Sequence, residues 1–318
     1  MNLFEMTQRP NPELFHQGHD PHDPRMGQKV YREPPDLKTS PVVILGSPQD
    51  EGIRRNHGRP GARKGPQEIR RAFYKLSPTP LLDSLRIFDL GDVPVGDTLE
   101  ETHRIQEAIV HQILKQGKLV VILGGGNDIS YPDCAALAKI KTDILVFNID
   151  KHFDVRDLTP RNSGTPYRLL LDQELIDPQK FYEMGSEPFS NSPIYKQYLQ
   201  DKKAHVISLQ KMRDQGISSL FQDILGKHSS SIEAIFWGFD LDSVRSSDAP
   251  GVSASYPTGL TASEICQIAQ IAGKETSQGI IEFTEINPET DVDHRTSKLT
   301  AILLHTFLSS YSKNRFGK

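Results

Sequence analysis

Residues 144–154 read ILVFNIDKHFD: six uncharged residues, then Asp150, Lys151, His152, Phe153 and Asp154. A short run that is apolar on both faces suits a strand of a parallel sheet covered by helices on each side. In such sheets ligands bind beyond the carboxyl ends of the strands, so the charged end of this run falls where chemistry is expected. In extended backbone alternate side chains share a face. Asp150, His152 and Asp154 then point one way and can converge on one ion, while Lys151 and Phe153 point the other.

Six further runs have the same character: PVVILG (41–46), RIFDLG (86–91), KLVVILGGG (118–126), AHVISL (204–209), AIFWGFDLD (234–242) and GIIEFTEIN (279–287). Helical segments separate them. THRIQEAIVHQILKQG (102–117) shows one, with Ile105, Ala108, Ile109, Gln112 and Ile113 at helical spacing and Gly117 at its end. The pattern predicts an α/β protein: residues 41–318 as one three-layer α/β/α domain around a central, mostly parallel sheet. Residues 1–40 are polar, rich in proline and without a period, which predicts an extended arm that adds little core. The arm's His16, His19 and His22 read as solvated or packing side chains, because a proline-rich context gives no rigid ligand geometry.

With 318 residues, the chain can bury a large core. A net charge of −4 gives no polyelectrolyte signature and so points away from nucleic acid. No apolar run approaches the roughly 18 residues that span a bilayer, and the first residues lack a secretory pattern, so no membrane partner and a cytoplasmic location are expected. Cys134 and Cys266 are the only cysteines; they exclude a disulfide framework and read as core or helix-face thiols.

The polar residues that matter cluster at strand ends. Asp240 and Asp242 repeat the spacing of Asp150 and His152. Four carboxylates at one sheet edge raise each other's pKa unless cations neutralise them. Two divalent ions would balance the charge, and mixed oxygen and imidazole donors suit manganese. Such a pair lowers the pKa of a shared water and delivers hydroxide at neutral pH.

At these residues the chain resembles the ureohydrolases, which include arginase, agmatinase and formimidoylglutamase. DKHFD (150–154) is similar to the family's D-A-H-x-D. FDLDSVRSSDAPGVSASYPTG (239–259) is similar to its second aspartate block, and EINPETD (285–291) to the block that bears a substrate-contacting glutamate. The resemblance implies an arginase-like fold, Asp150 and Asp240 as bridging ligands, His152 and Asp242 on one ion, Asp154 on the other as a catalytic ligand, and Glu285 holding a cationic amidine. It also implies two Mn2+ ions and a homo-oligomer. GSPQDEGIRRNHGRPGARKGPQEIR (46–70) and NSGTPYRLL (162–170) look most like the formimidoylglutamase subgroup. They offer Arg54, Arg55, Asn56, Arg59, Asn162, Ser163, Tyr167 and Arg168 as substrate contacts, with donors for a dicarboxylate tail. The implied substrate is a small amidine, N-formimidoyl-glutamate, cleaved to glutamate and formamide. The alternatives are a guanidine-type ureohydrolase, or a metal-depleted binding or regulatory homologue.

The sequence departs from the family at two positions. Asn127, in LGGGNDIS (123–130), stands where the family has a histidine ligand. An amide oxygen is a weaker donor for transition metals, so the ion near Asn127 is expected to be weakly held or absent. Asp128 beside it reads as a helix cap before Ser130. Lys151 replaces a small residue and, in extended geometry, points away from the metals.

Overall fold

The computed structural model describes residues 2–316. Eight short runs form one sheet: β1 (Val42–Gly46), β2 (Ile87–Asp92), β3 (Leu119–Leu123), β4 (Ile144–Ile149), β5 (Phe181–Ser186), β6 (His205–Ser208), β7 (Ala234–Asp240) and β8 (Gly279–Thr284). Their order is β2-β1-β3-β8-β7-β4-β5-β6, and every pairing is parallel.

Alternate residues of each strand enter opposite layers, as the period of two requires. Ile44, Val121, Leu145, Phe147, Trp237 and Phe283 join one core cluster, beneath helices Gly65–Phe73, Ile217–His228, Ala262–Glu275 and Arg295–Phe316. Val43, Val120, Val146, Phe236 and Ile280 join the other, beneath helices Leu99–Leu114, Ser130–Ala138 and Pro166–Asp172. This is the three-layer α/β/α architecture that the apolar runs predict.

Three local readings change. β5, with the sequence FYEMGS, escapes the apolar pattern because Glu183 and Gly185 interrupt it. Glu183 is tolerated inside because Asn148 on β4 donates to it at 2.9 Å, and Gly185 takes a φ of 103°. Helix Leu99–Leu114 begins at the N-cap Thr98 and buries Thr102, His103, Gln106, Ile109, Val110 and Ile113, while Ala108 is exposed. Its polar interior residues have partners there: Gln106 bonds Ser47 and Asp133. The arm also contributes more core than its composition suggests. Leu3 and Leu37 pack in one cluster, and Leu14, Phe15, Met26 and Val30 in the other.

The topology places the chemistry. After β3 the chain skips two positions to make β4, then returns after β6 to fill the gap with β7 and β8. The carboxyl ends of β3, β8, β7 and β4 thus stand side by side, carrying Asn127, Glu285, Asp240 and Asp150 respectively. The β3 loop is tightly seated: the Glu285 N–H donates to the Gly125 carbonyl at 2.9 Å, and a Cβ on Gly125 would lie 1.8 Å from the Gln49 carbonyl oxygen. Since the obstacle is backbone, Gly125→Ala is expected to cost roughly 1–3 kcal/mol of stability through overpacking. Thermal unfolding of the variant measures this, and an unchanged midpoint would contradict the assigned packing.

Candidate metal centre

Asp150 and Asp240 end two adjacent strands, and each opens the same turn. Asp150 Oδ1 accepts the His152 N–H at 2.8 Å, and Asp240 Oδ1 accepts the Asp242 N–H at 2.8 Å. The backbone beyond each strand is therefore turned by its own aspartate, not extended. The side chains converge nonetheless. Asp150, His152 and Asp242 each place one ligand atom within 4.8 Å of the others, and so do Asp150, Asp154 and Asp240. The two groups share Asp150. Asp154 reaches its place through a left-handed backbone, φ 46°, and Glu285 likewise has φ 65°. Such conformations in non-glycine residues are strained and cluster at functional sites.

The electrostatics show what the cluster lacks. Burial, and then the neighbouring carboxylates, raise the carboxyls of Asp150, Asp154, Asp240 and Glu285 above their usual range. His152 is also raised: burial opposes its charge, but Asp242 and Asp150 outweigh burial. Asp242 runs the other way. Burial would raise it, yet Lys151 and His152 hold it at about 2. Asp150 Oδ2 and Asp242 Oδ1 are buried without a hydrogen-bond partner. Buried polar atoms are seldom left so, and unpaired carboxylate oxygens beside an imidazole are what divalent cations bind. The donor set fits two such ions.

Asn127 turns its amide nitrogen, not the oxygen expected as a ligand, toward the cluster. Its Oδ1 accepts from Ser130 Oγ at 2.9 Å and Thr284 Oγ1 at 3.0 Å, so its Nδ2 faces the site and donates to Asp154. Its backbone N–H fixes Glu285 Oε1 at 2.9 Å. Asp128 does not cap the helix that begins at Ser130; its Oδ2 meets Gln49 Nε2 and His103 Nε2, both at 2.7 Å. Lys151 does not point away. It is fully buried, and its Nζ donates to the Asp242 carbonyl at 2.6 Å and to the Ala254 carbonyl. The turn at Asp150 breaks the alternation that would have sent it elsewhere.

A cleft of about 460 Å³ opens over the cluster, lined by His152, Asp154, Asp240, Asp242 and Glu285. Of the expected substrate contacts, Asn56, Arg59 and Ser163 reach its wall, and Asn56 Nδ2 donates to Ser163 Oγ at 3.1 Å. Five do not. Arg54 is exposed and paired with Glu51. Arg55 is locked to Glu51 and Glu100. Arg168 pairs with Asp172 and Asp157. Asn162 closes its own turn by accepting the Gly164 N–H at 3.0 Å. Tyr167 is buried and stacked on Phe181, with ring centroids 4.9 Å apart.

Other residues line the cleft instead. Arg156 lines the cleft, and its guanidinium has no hydrogen-bond or ion-pair partner among the described residues; the bare Gly164 lets it lie close, since a Cβ there would stand 2.6 Å from Arg156 Cδ. Asn191 clamps the metal-binding turn, accepting the Phe153 N–H at 2.9 Å and donating to the Lys151 carbonyl at 2.6 Å. Asn191, Ser192 and Tyr195 lie beyond β5, so finding that strand would have exposed them to the carboxyl-end rule. Beneath the ligands, Glu183, Asn148, Gly238 and Glu282 stand in register across four strands, a buried polar row on the face that also carries Asp150 and Asp240.

The sequence model of the arginase family matches residues 40–309. Formimidoylglutamase of Staphylococcus haemolyticus is 32% identical over 271 residues, covering 84% of this chain and 85% of its own. Among solved structures, Trypanosoma cruzi formiminoglutamase with Mn2+ superposes with a TM-score of 0.84 at 31% identity, over 91% of this chain and 99% of its own. Formimidoylglutamase of Bacillus subtilis superposes with a TM-score of 0.88 at 27% identity, over 95% and 96%. The chain belongs to the arginase family.

Asp150, Asp154, Asp240 and His152 all hold protons more tightly than free side chains do, so protons compete with divalent ions for them. Affinity for Mn2+ is expected to fall as pH is lowered. Calorimetry in two buffers of different ionisation enthalpy should show net proton release, and a binding heat that is the same in both would contradict this competition.

Proposed function

We propose that the protein is a metal-dependent hydrolase of linear amidines that converts N-formimidoyl-glutamate and water to glutamate and formamide. The observation that carries this reading is the pair of ligand groups sharing Asp150 under a cleft whose lining includes both Glu285 and the unpaired Arg156. The relatives named above are enzymes of that activity. In this reading Asp150, His152 and Asp242 would hold one divalent cation and Asp150, Asp154 and Asp240 a second. Manganese is preferred, with the ion near Asn127 the weaker. Cations held there would neutralise the aspartates and supply an acidified water as nucleophile at neutral pH.

The chain's own residues orient the substrate. Glu285, with one oxygen fixed by the Asn127 N–H, turns the other toward the amidinium, and the charge-assisted pair sets the plane of the reacting carbon. Asp154 lines the cleft beside Asp150 and Asp240, where its carboxylate can take a proton from water and pass it to the leaving nitrogen. Arg156 meets a carboxylate of the glutamate tail, while Arg59, held by the Ser253 and Val252 carbonyls, shapes the rim. A guanidine such as agmatine has no carboxylate and would leave Arg156 unpaired. The reading also takes the protein to be a cytoplasmic homo-oligomer with no nucleic-acid or membrane partner, on the family resemblance and the modest charge.

Assay of the Mn2+-loaded protein should show formamide and glutamate released from N-formimidoyl-glutamate faster than urea from agmatine or arginine; the reverse order would overturn the reading. Arg156→Gln should raise KM for N-formimidoyl-glutamate roughly tenfold or more, the scale of one charge-assisted contact, and leave turnover of formamidine, which has no tail, unchanged.

A further inference from the structure

The buried aspartates share their surroundings with a cation that the chain itself supplies. Lys151 lies between two ligands in sequence and is completely buried. Its Nζ donates to two backbone carbonyls, those of Asp242 and Ala254, and stands 4.6 Å from the centre of the Tyr256 ring. Asp242 Oδ1, an oxygen without a hydrogen-bond partner, lies 3.7 Å from it. That separation is too long for a hydrogen bond and short for a charge interaction in a buried site. The ammonium therefore acts on Asp242 through its field while leaving the oxygen's lone pairs open.

This arrangement differs from an ordinary buried ion pair. The carbonyls and the aromatic face solvate the ammonium without neutralising it, so its whole charge remains available to the cluster. Asp242 is the aspartate this ammonium faces, and with the ligands ionised Lys151 offsets one of four negative charges. A divalent ion at Asp242 then meets a fixed positive charge a few ångströms away, in surroundings that screen poorly.

We propose that Lys151 is a resident counter-ion that lowers the affinity of the Asp150–His152–Asp242 group for divalent metal and keeps the ligand cluster folded when it is empty. The inference rests on the metal reading above and goes beyond it. It makes metal loading adjustable: the strongest donors, an imidazole with two carboxylates, are held below the affinity they would otherwise have. It also couples loading to the cleft, because the Ala254 carbonyl that anchors Lys151 belongs to a segment on the cleft wall.

Two substitutions separate charge from packing. Lys151→Met keeps the length and removes the charge, whereas Lys151→Arg keeps the charge and alters the fit. The metal-free proteins are titrated with Mn2+ by calorimetry, and their thermal unfolding is followed with and without the ion. Lys151→Met should bind the first Mn2+ at least roughly tenfold more tightly than the parent, the scale on which changes around a ligand set act. It should lose stability mainly in the metal-free state; folding only when Mn2+ is present would be the extreme form of the same result. Lys151→Arg should stay near the parent in affinity. If the parent binds Mn2+ and Lys151→Met binds it no more tightly, or is destabilised equally with and without the ion, Lys151 is only a tether and the inference fails. If neither the parent nor the variants take up Mn2+, the metal reading fails and takes this inference with it.

Discussion

The mutual repulsion of buried carboxylates at the ends of β4 and β7 is the constraint around which this protein is organised. Asp150, Asp154, Asp240 and Asp242 crowd together out of water, and three of the four are raised above the ordinary carboxylate range. Burying a charge without a partner costs several kcal/mol. No arrangement of hydrogen bonds within the cluster removes that cost, since Asp150 Oδ2 and Asp242 Oδ1 have none. Cations bound among these oxygens would remove it.

The surrounding structure holds these groups in place against their repulsion. The parallel sheet fixes the spacing of β3, β8, β7 and β4, and the aspartates that open the two turns bend the chain so that the following ligands return over the strand ends. Asn191 ties down the first turn from a loop nearly forty residues away, and Lys151 ties the second to the cleft wall. The polar row of Glu183, Asn148 and Glu282 lies below the cluster on the same face of the sheet, where an apolar core would be the default. Preorganisation of this kind is what a site needs to hold reacting groups within a fraction of an ångström.

The large features were legible in the sequence for simple reasons. Strands buried on both faces are uniformly apolar, and metal ligands must come from a few residue types at strand ends, so seven strands and the aspartate and histidine set stood out. What escaped was set by tertiary partners. β5 carries a glutamate that only Asn148 makes tolerable, and without β5 the loop bearing Asn191, Ser192 and Tyr195 has no assigned place. The arginines show the same limit. Arg54, Arg55, Arg156 and Arg168 are alike as sequence, but Glu51, Glu100, Asp157 and Asp172 occupy all of them except Arg156. Lys151 turns inward because alternation requires an extended chain, and Asp150 itself ends the extension.

Asn127 was identified as the telling departure, but its geometry could not be read from its identity: the hydroxyls of Ser130 and Thr284 decide which end of the amide faces Asp154. Where metal binds decides whether these residues form the proposed site. Anomalous diffraction from crystals grown with Mn2+ should show a peak among Asp150, His152 and Asp242, and a second of lower occupancy among Asp150, Asp154 and Asp240. Saturating Mn2+ that left both positions empty, or bound only elsewhere on the protein, would contradict it.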